Sequence, residues 1–395
     1  MPVRTLDDLI AGGVAGKREF VRADLNVPTK DGKVGDDTRI RATLPTLQKL
    51  LPAGARVVLA SHLGRPKGKV DAKYSLAPVA KRLGELLGKP VAFVAACIGP
   101  DAEAAVAKLG DGEVLLLENL RFHAEEEQNE PGFAASLAKH ADLYVNDAFG
   151  TAHRAHASTA GMVPHAKRAA AGDLLRAELD HLRQLLDPAR PLLCLLGGAK
   201  VSDKLAVLEA MVRRADVVCI GGAMAYTFLR AQGKPVGASL VEADRIEDAK
   251  RILAAAKDAG HKLLLPVDHV VAQKLEAGAE AKVVREIPDG WMGLDIGPET
   301  AKAYAAEAAR AKTIFWNGPM GVFEIDAFAK GTEAVAYAVA DSAAASVVGG
   351  GDSLAAVNRL GIAPRITHCS TGGGASLEFV EGRALPGVVA LENHS

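Results

Sequence analysis

The sequence predicts an α/β protein of two lobes, each a mostly parallel sheet with helices on both faces, the two joined by a helix. Three observations carry that prediction. Short apolar runs, glycine- or charge-marked turns and helical patterns alternate along both halves, the rhythm of parallel sheets. Leu192–Leu196 is apolar throughout rather than alternating, as a strand buried on both faces is. Between the halves runs Asp173–Asp187, DLLRAELDHLRQLLD, where Leu174, Leu175, Leu179, Leu182, Leu185 and Leu186 form a helical stripe that Asp187-Pro188 ends. The boundaries follow: a first lobe over 1–172, a joining helix over 173–187, a second lobe over 188–380 and a tail over 381–395.

In the first lobe the strands are expected at Phe20–Ala23, Arg56–Ala60, Val91–Ala95, Glu113–Leu117 and Asp142–Val145. Helices are expected over Thr43–Leu51, Leu76–Leu87, Glu103–Leu109 and Phe133–His140, from apolar positions at three- and four-residue spacing. In the second lobe the strands are expected at Leu192–Leu196, Val217–Ile220, Lys262–Leu265, Thr313–Trp316, Ser346–Val348 and Thr367–Cys369. A helix is expected from Asp203 onward, with Leu205, Leu208 and Met211/Val212 on one apolar side. The tail carries apolar Val388–Leu391, too apolar to hang in water, so it is expected to dock.

Composition narrows the class. A chain of 395 residues holds about two to three domains. Its hydrophobic content of 49% fills sizeable cores, with alanine and branched aliphatics doing so because aromatics are only 4%. A net charge of −1 gives no basic excess for nucleic acid. Cys97, Cys194, Cys219 and Cys369 lie far apart, the pattern of reduced thiols rather than disulfides or zinc ligands. The opening MPVRTLDDLIAGG puts aspartates where a signal peptide needs an apolar core, and no apolar run reaches the ~18 residues of a membrane helix. A soluble, cytoplasmic protein is the expectation.

Ligands bind outside the carboxyl ends of parallel strands, so the residues after each strand matter most. After the first strand come Asp24, Leu25 and Asn26; after the second, His62, Leu63, Gly64 and Arg65; after the fourth, Arg121; beyond the fifth, Asn146, Asp147 and Arg154. Arg39 lies in the connection ahead of the first marked helix. Arginine's planar fork matches carboxylate and phosphate, so this rim suits a small ligand with several negative charges. His153 and His156 lack the glutamate of a zinc-binding HExxH.

The second lobe carries glycine where the first carries arginine. Its strand ends read Gly197-Gly198-Ala199-Lys200, Gly221-Gly222-Ala223, Asn317-Gly318-Pro319-Met320-Gly321, Gly349-Gly350-Gly351-Asp352-Ser353 and Ser370-Thr371-Gly372-Gly373-Gly374. Glycine lets backbone approach a ligand closely, and strand–turn–helix geometry aims N–H groups at phosphate. Lys200 and Lys204 crowd one such helix start, an arrangement that a polyanion would relieve. Asp352 suits Mg²⁺, which takes one or two carboxylates beside phosphate oxygens, and Glu324 suits ribose hydroxyls. Walker A, GxGxxG and the HRD/DFG pair of protein kinases are all missing.

Taken together, Arg22–Pro28, Ser61–Pro66, Glu118–His123, Asp147–His156, Gly197–Lys204, Trp316–Glu324, Gly349–Ser353 and Ser370–Glu378 resemble the phosphoglycerate kinases, in order from near residue 17 to near 390. The resemblance implies two Rossmann-like three-layer lobes, with the tail returning to the first. It implies reversible phosphoryl transfer between ATP and 3-phosphoglycerate, giving ADP and 1,3-bisphosphoglycerate, with Mg²⁺. Basic groups on one lobe and phosphate turns on the other imply hinge closure, and with no surplus apolar helix face on either lobe a monomer is the expectation. By motif, Asp24, Leu25, Asn26, Arg39, His62, Leu63, Gly64, Arg65, Arg121 and Arg154 would bind the acid. Gly198, Ala199, Lys200, Lys204, Gly222, Gly293, Asn317, Pro319, Glu324, Gly350, Gly351, Asp352 and Ser353 would serve the nucleotide, Asp352 also the metal. Arg39, Lys200, Lys204, Gly373 and Gly374 would be catalytic. The chain departs from the usual pattern at Glu19, Ala23, Ala223 and Tyr226. Two other readings share the architecture. One is an NAD-dependent dehydrogenase, against which the missing GxGxxG counts. The other is a non-catalytic two-lobe binder of sugar phosphate or nucleotide.

Overall fold

Strands that are buried end to end organise a computed structural model, which describes residues 3–394. The chain divides into two compact units, Met1–Asp180 with Ala384–Ser395, and His181–Arg383. In unit 1 the strands are β1 (Arg18–Ala23), a small hairpin of β2 (Thr29–Lys30) and β3 (Lys33–Val34), then β4 (Arg56–Ala60), β5 (Val91–Val94), β6 (Val114–Leu117), β7 (Leu143–Asp147) and β8 (Ala169–Ala171). Unit 2 contributes β9 (Leu192–Leu196), β10 (Val217–Ile220), β11 (Lys262–Leu264), β12 (His269–Ala272), β13 (Lys282–Val284), β14 (Met292–Ile296), β15 (Thr313–Asn317), β16 (Ala345–Gly349) and β17 (His368–Cys369).

Unit 1 is built on a six-stranded sheet in the order β5-β6-β4-β1-β7-β8, every pair parallel. The order reverses between β1 and β7, so ligand-binding loops are expected at the carboxyl ends of those two strands and their neighbours. Val21, Leu59, Leu116 and Val145 pack one face of this sheet against Leu47 and Leu83 from the helices Thr38–Leu50 and Ala77–Leu87. Each fully buried leucine or valine of this kind contributes about 1.5–3 kcal/mol. Residues 384–394 fold with this unit: the helix Pro386–Glu392 buries Val388 and Leu391, and Gly387 N–H donates to Ala152 O at 2.9 Å.

Unit 2 repeats the plan with its own sheet, β11-β10-β9-β15-β16-β17, again wholly parallel. Counted from its first strand the order is 3-2-1-4-5-6, that of dinucleotide-binding folds, and it reverses between β9 and β15. Trp316, fully buried, joins Leu195, Ile314 and Val348 in its core. A separate antiparallel sheet, β13-β12-β14, is an addition the sequence reading did not anticipate.

Several boundaries differ from expectation. The first strand begins at Arg18 and carries Glu19 inward, where burial pushes its carboxyl up to about 8 and neither oxygen finds a hydrogen-bond donor among the described residues. The helix expected from Thr43 starts at Thr38, because Asp36 Oδ1 accepts the Thr38 N–H at 2.8 Å and opens the turn. Arg39 is therefore a helical residue rather than part of a connection. Asn146 and Asp147 belong to strand β7, and Asn317 to β15, one or two residues beyond the expected ends. The helix expected from Asp203 begins at Leu205, so Lys200 is not on it and Lys204 stands at its N-cap. Cys97, Cys194 and Cys219 are buried free thiols and Cys369 is half-buried. Among the described residues no helix is long and apolar enough to cross a membrane.

Candidate active site

In unit 1 the strand-end loops are tied together by side chains. Ser61 Oγ accepts the Leu25 N–H at 2.8 Å, linking the loop after β4 to the loop after β1. Asn26 Oδ1 accepts the Gly64 N–H at 2.9 Å, and Arg121 Nη1 donates to Gly64 O at 3.0 Å. Gly64 has φ +61°, and a Cβ there would lie 2.4 Å from the Tyr74 ring, so only glycine fits this junction. Asn119 holds the same loop from below: its Oδ1 accepts from Leu63 N at 3.2 Å and its Nδ2 donates to Leu63 O at 2.7 Å.

The charges of this rim are largely buried. Asp24, 6% exposed, pairs with Arg39. Arg121 is also 6% exposed; burial lowers its pKa, Glu127 at 3.4 Å opposes that, and Arg22 and Arg154 add repulsion. Beneath them lies Arg22, fully buried on β1, donating from Nε to Ser158 Oγ at 2.8 Å and from Nη2 to His62 Nδ1 at 3.3 Å. Ser158 in turn donates to Glu126 through its Oγ (2.5 Å) and its backbone N–H (2.9 Å). Burial raises the Glu126 carboxyl while Arg22 and Ser158 pull it down. Burial and then the nearby guanidiniums of Arg22, Arg121 and Arg39 hold His62 well below the usual imidazole range, so it is neutral at pH 7. His156 is held at about 3, chiefly by burial. Arg65 and Arg154 are exposed, Arg154 donating from Nε to His153 at 3.2 Å.

This arrangement brings Asp24 to Arg39, Asn26 and Arg121 to Gly64, and His62 to Arg22. It leaves the Arg65 guanidinium without an ion pair among the described residues. Sequence reasoning treated Arg22 as a strand residue and missed Glu126 and Ser158 altogether. Only Arg22 carried a signal, an arginine inside the apolar run Phe20–Ala23.

In unit 2 the corresponding strand ends are braced by backbone. Gly197 N–H donates to Asn317 O and Gly198 N–H to Pro319 O, both at 3.0 Å, so the turns after β9 and β15 lie against each other at the order reversal. Gly318 has φ +98°, and a Cβ on it would stand 2.2 Å from Gly197 O; one on Gly222 would stand 2.4 Å from Gly198 O. These three turns can approach only as glycine. Ser353 Oγ accepts the Gly318 N–H at 2.5 Å, tying in the start of the helix Gly351–Arg359. Gly350, at φ +92°, and Gly373, at φ +55°, precede the helices Gly351–Arg359 and Gly374–Val380.

Lys204 reaches from its N-cap position to Asn317, whose main-chain O it meets at 2.8 Å and whose side-chain O it also meets. Burial lowers its pKa to about 8, with Cys194, Asp352 and Asp203 opposing. It is a cation held ready at the reversal point. Lys200 and Ala199 are exposed on the preceding loop, which Glu242 anchors by accepting from Val201 N (2.5 Å), Ser202 N (3.1 Å) and Ser202 Oγ (2.5 Å). Although burial works against it, those hydrogen bonds and the charge of Lys200 keep the Glu242 carboxyl below its usual range. Sequence reasoning missed Glu242, which lies in no strand-end motif. Gly293, on β14, donates to Ser239 Oγ at 2.9 Å, and a Cβ on it would strike the Tyr226 hydroxyl at 2.1 Å. Glu324 and Asp352 are exposed.

Cationic strand ends on one parallel sheet, with glycine turns around a braced lysine on another, are the apparatus of a phosphotransferase. The profile of the family described as phosphoglycerate kinase matches residues 6–383. The phosphoglycerate kinase of Moorella thermoacetica is 58% identical over 390 residues, covering 98% of each chain. That of Rubrobacter xylanophilus is 57% identical over 394 residues, covering 99% of this chain and 98% of its own. The solved phosphoglycerate kinase of Coxiella burnetii superposes over 100% of both chains with a TM-score of 0.92 at 42% identity. The chain belongs to the phosphoglycerate kinase family, transferases of glycolysis that act on ATP and 3-phosphoglycerate.

Proposed function

We propose that the chain performs this family's reaction with the acid held by Asp24, Asn26, Arg39, His62, Arg65, Arg121 and Arg154 of unit 1. The nucleotide is held by the glycine turns of unit 2, with Lys204 and Lys200 on its phosphates. What supports the assignment is that each set clusters at the carboxyl ends of its own parallel sheet, beside the point where strand order reverses. A carboxylate nucleophile is already ionised at neutral pH, since its pKa lies near ~4. The attack needs no general base; it needs alignment and positive charge where the equatorial phosphoryl oxygens spread. Arg39 serves the reacting carboxylate and the transferring group, Lys200 and Lys204 the phosphoryl oxygens, and the N–H groups of Gly373 and Gly374 add dipoles there.

Asp352 is an exposed carboxylate in the first turn of the helix Gly351–Arg359, and the described residues hold no cluster of three or more metal-ligating side chains. One carboxylate fits Mg²⁺ arriving with nucleotide phosphates, which supply the remaining oxygens. Asp352 would hold it, and it would neutralise phosphate charge. Because the two ligand sets belong to different units, the reading includes a ligand-driven movement of one unit on the other that excludes water from the acyl phosphate. The chain acts as a cytoplasmic monomer without a nucleic-acid partner. A coupled assay with ATP, 3-phosphoglycerate and Mg²⁺ tests the reaction: turnover is expected, and saturable binding of both ligands without turnover would favour the non-catalytic reading. Small-angle scattering tests the movement, the radius of gyration falling most with both ligands present.

A further inference from the structure

The most deeply buried charges of unit 1 are ones that the proposed chemistry does not use. Arg22 and Glu126 are both fully buried, yet they do not touch as a direct ion pair. Ser158 stands between them. Its hydroxyl has one proton and meets two partners: Arg22 Nε at 2.8 Å, a group that can only donate, and Glu126 Oε1 at 2.5 Å. The Ser158 proton therefore points to Glu126 and its lone pair to Arg22. A second bond, from Ser158 N to Glu126 Oε2 at 2.9 Å, fixes the carboxylate in both directions. Burying a guanidinium without a counter-charge costs several kcal/mol; here the counter-charge is delivered through a hydroxyl and Nη1 donates to Ala23 O, which leaves Nη2 for something else.

That nitrogen faces His62. Arg22 Nη2 lies 3.3 Å from His62 Nδ1. A guanidinium nitrogen has no lone pair to offer, so Nδ1 must be the acceptor and the single ring proton must sit on Nε2. We propose that the Glu126–Ser158–Arg22 chain is a positioning element that locks His62 as a neutral Nε2–H donor, so that the acid ligand of unit 1 meets a directed hydrogen bond there rather than another mobile cation. Glu126, Ser158 and Arg22 act through His62. The link from this lock to acid binding rests on the reading of unit 1 given above; the lock itself does not.

The test uses full-length, ligand-free protein labelled with ¹⁵N-histidine, with His62 assigned by loss of its signals in His62→Gln. The expected pattern is an Nε2–H tautomer that persists from pH 6 to 8. Ser158→Ala should mix the tautomers and raise KM for 3-phosphoglycerate roughly five- to tenfold, the scale of one hydrogen bond, with KM for ATP and kcat within about twofold. Ser158→Thr, which keeps the hydroxyl, should restore both readouts. Glu126→Gln should resemble Ser158→Ala, and if it does not fold the serine pair decides alone. A proton on Nδ1 in the unmodified protein, or an unchanged tautomer and KM in Ser158→Ala, would overturn the proposal. If the unmodified protein showed no kinase turnover, the reading of function would fall, while the tautomer would still decide whether the lock exists.

Discussion

In unit 1 the strand ends carry charged side chains that are held in place by other side chains, several of them completely buried. In unit 2 the equivalent strand ends carry glycine, and main chain braces main chain: Gly197 to Asn317, Gly198 to Pro319, Gly222 against Gly198. The two sheets share a plan, so on the proposed reading the difference lies in what each binds. A small acid must be recognised by the direction of its few oxygens, which calls for guanidiniums fixed by a supporting layer. A phosphate tail can be met by backbone N–H groups, which calls only for close approach. The cost of failure differs accordingly. Side-chain supports can be removed one at a time, whereas a methyl group in the glycine turns displaces several loops at once.

Experiments that break this contrast can be ranked by expected effect. Removing a cation from the proposed reacting centre comes first: Lys204→Ala and Arg39→Ala should each lower kcat by about 10³, well beyond any rise in KM. Equal kcat with raised KM would reduce them to binding groups. Gly318→Ala comes next, because its Cβ would stand 2.2 Å from Gly197 O and 2.5 Å from Lys204 Nζ at a φ of +98°. It should lose more than about 4 kcal/mol of stability by chemical denaturation, far more than Asn26→Ala in unit 1, at about 1–2 kcal/mol. Similar losses for the two would erase the contrast.

Asp147 gives a pH test. Its Oδ1 accepts from Leu174 N at 2.9 Å and Leu175 N at 3.2 Å, capping the helix Asp173–Leu186, and burial raises its carboxyl to about 7. The folded chain holds this proton more tightly than the unfolded chain does. The proton therefore contributes stability that is complete below pH ~4 and is lost as pH rises to about 7. Asp147→Asn should remove that slope, worth up to about 4 kcal/mol across the window, as read from denaturation midpoints at pH 4.5 and 8. An unchanged pH dependence would show that the carboxyl titrates normally. Glu242→Gln should free Val201 and Ser202 and raise KM for ATP by about five- to tenfold, leaving KM for the acid alone. Smallest of all, Arg285→Ala breaks an exposed pair with Glu299 and should change stability by less than about 0.5 kcal/mol.

Most of the two parallel sheets could be read from the residues, because Leu192–Leu196 or Val217–Ile220 are apolar end to end and stay buried on both faces. Strand β8 could not, since Ala169–Ala171 is three alanines with no intrinsic strand preference. Strand β13 escaped because it is three residues long and mostly exposed, and β12 because its four residues, though largely buried, are too few and open on a histidine, so no continuous apolar run marks either. At the strand ends, the rule of reading after each strand picked out Asn26, His62, Arg121 and Lys204, which the fold ties to neighbouring loops and strands. It failed for Glu126, Ser158 and Glu242, whose partners lie 32 to 136 residues away along the chain. Such supports announce themselves only when the loops have met.

The way residues 384–394 fold has a consequence for how the protein is made. These residues are joined to unit 1 by Gly387 N–H on Ala152 O and His394 Nε2 against Ala166 O at 2.7 Å, although everything from His181 to Arg383 belongs elsewhere. During synthesis the amino-terminal half emerges first yet stays a piece short until the whole second half has been translated. The ribosome thus releases a partner that can finish before the one it began.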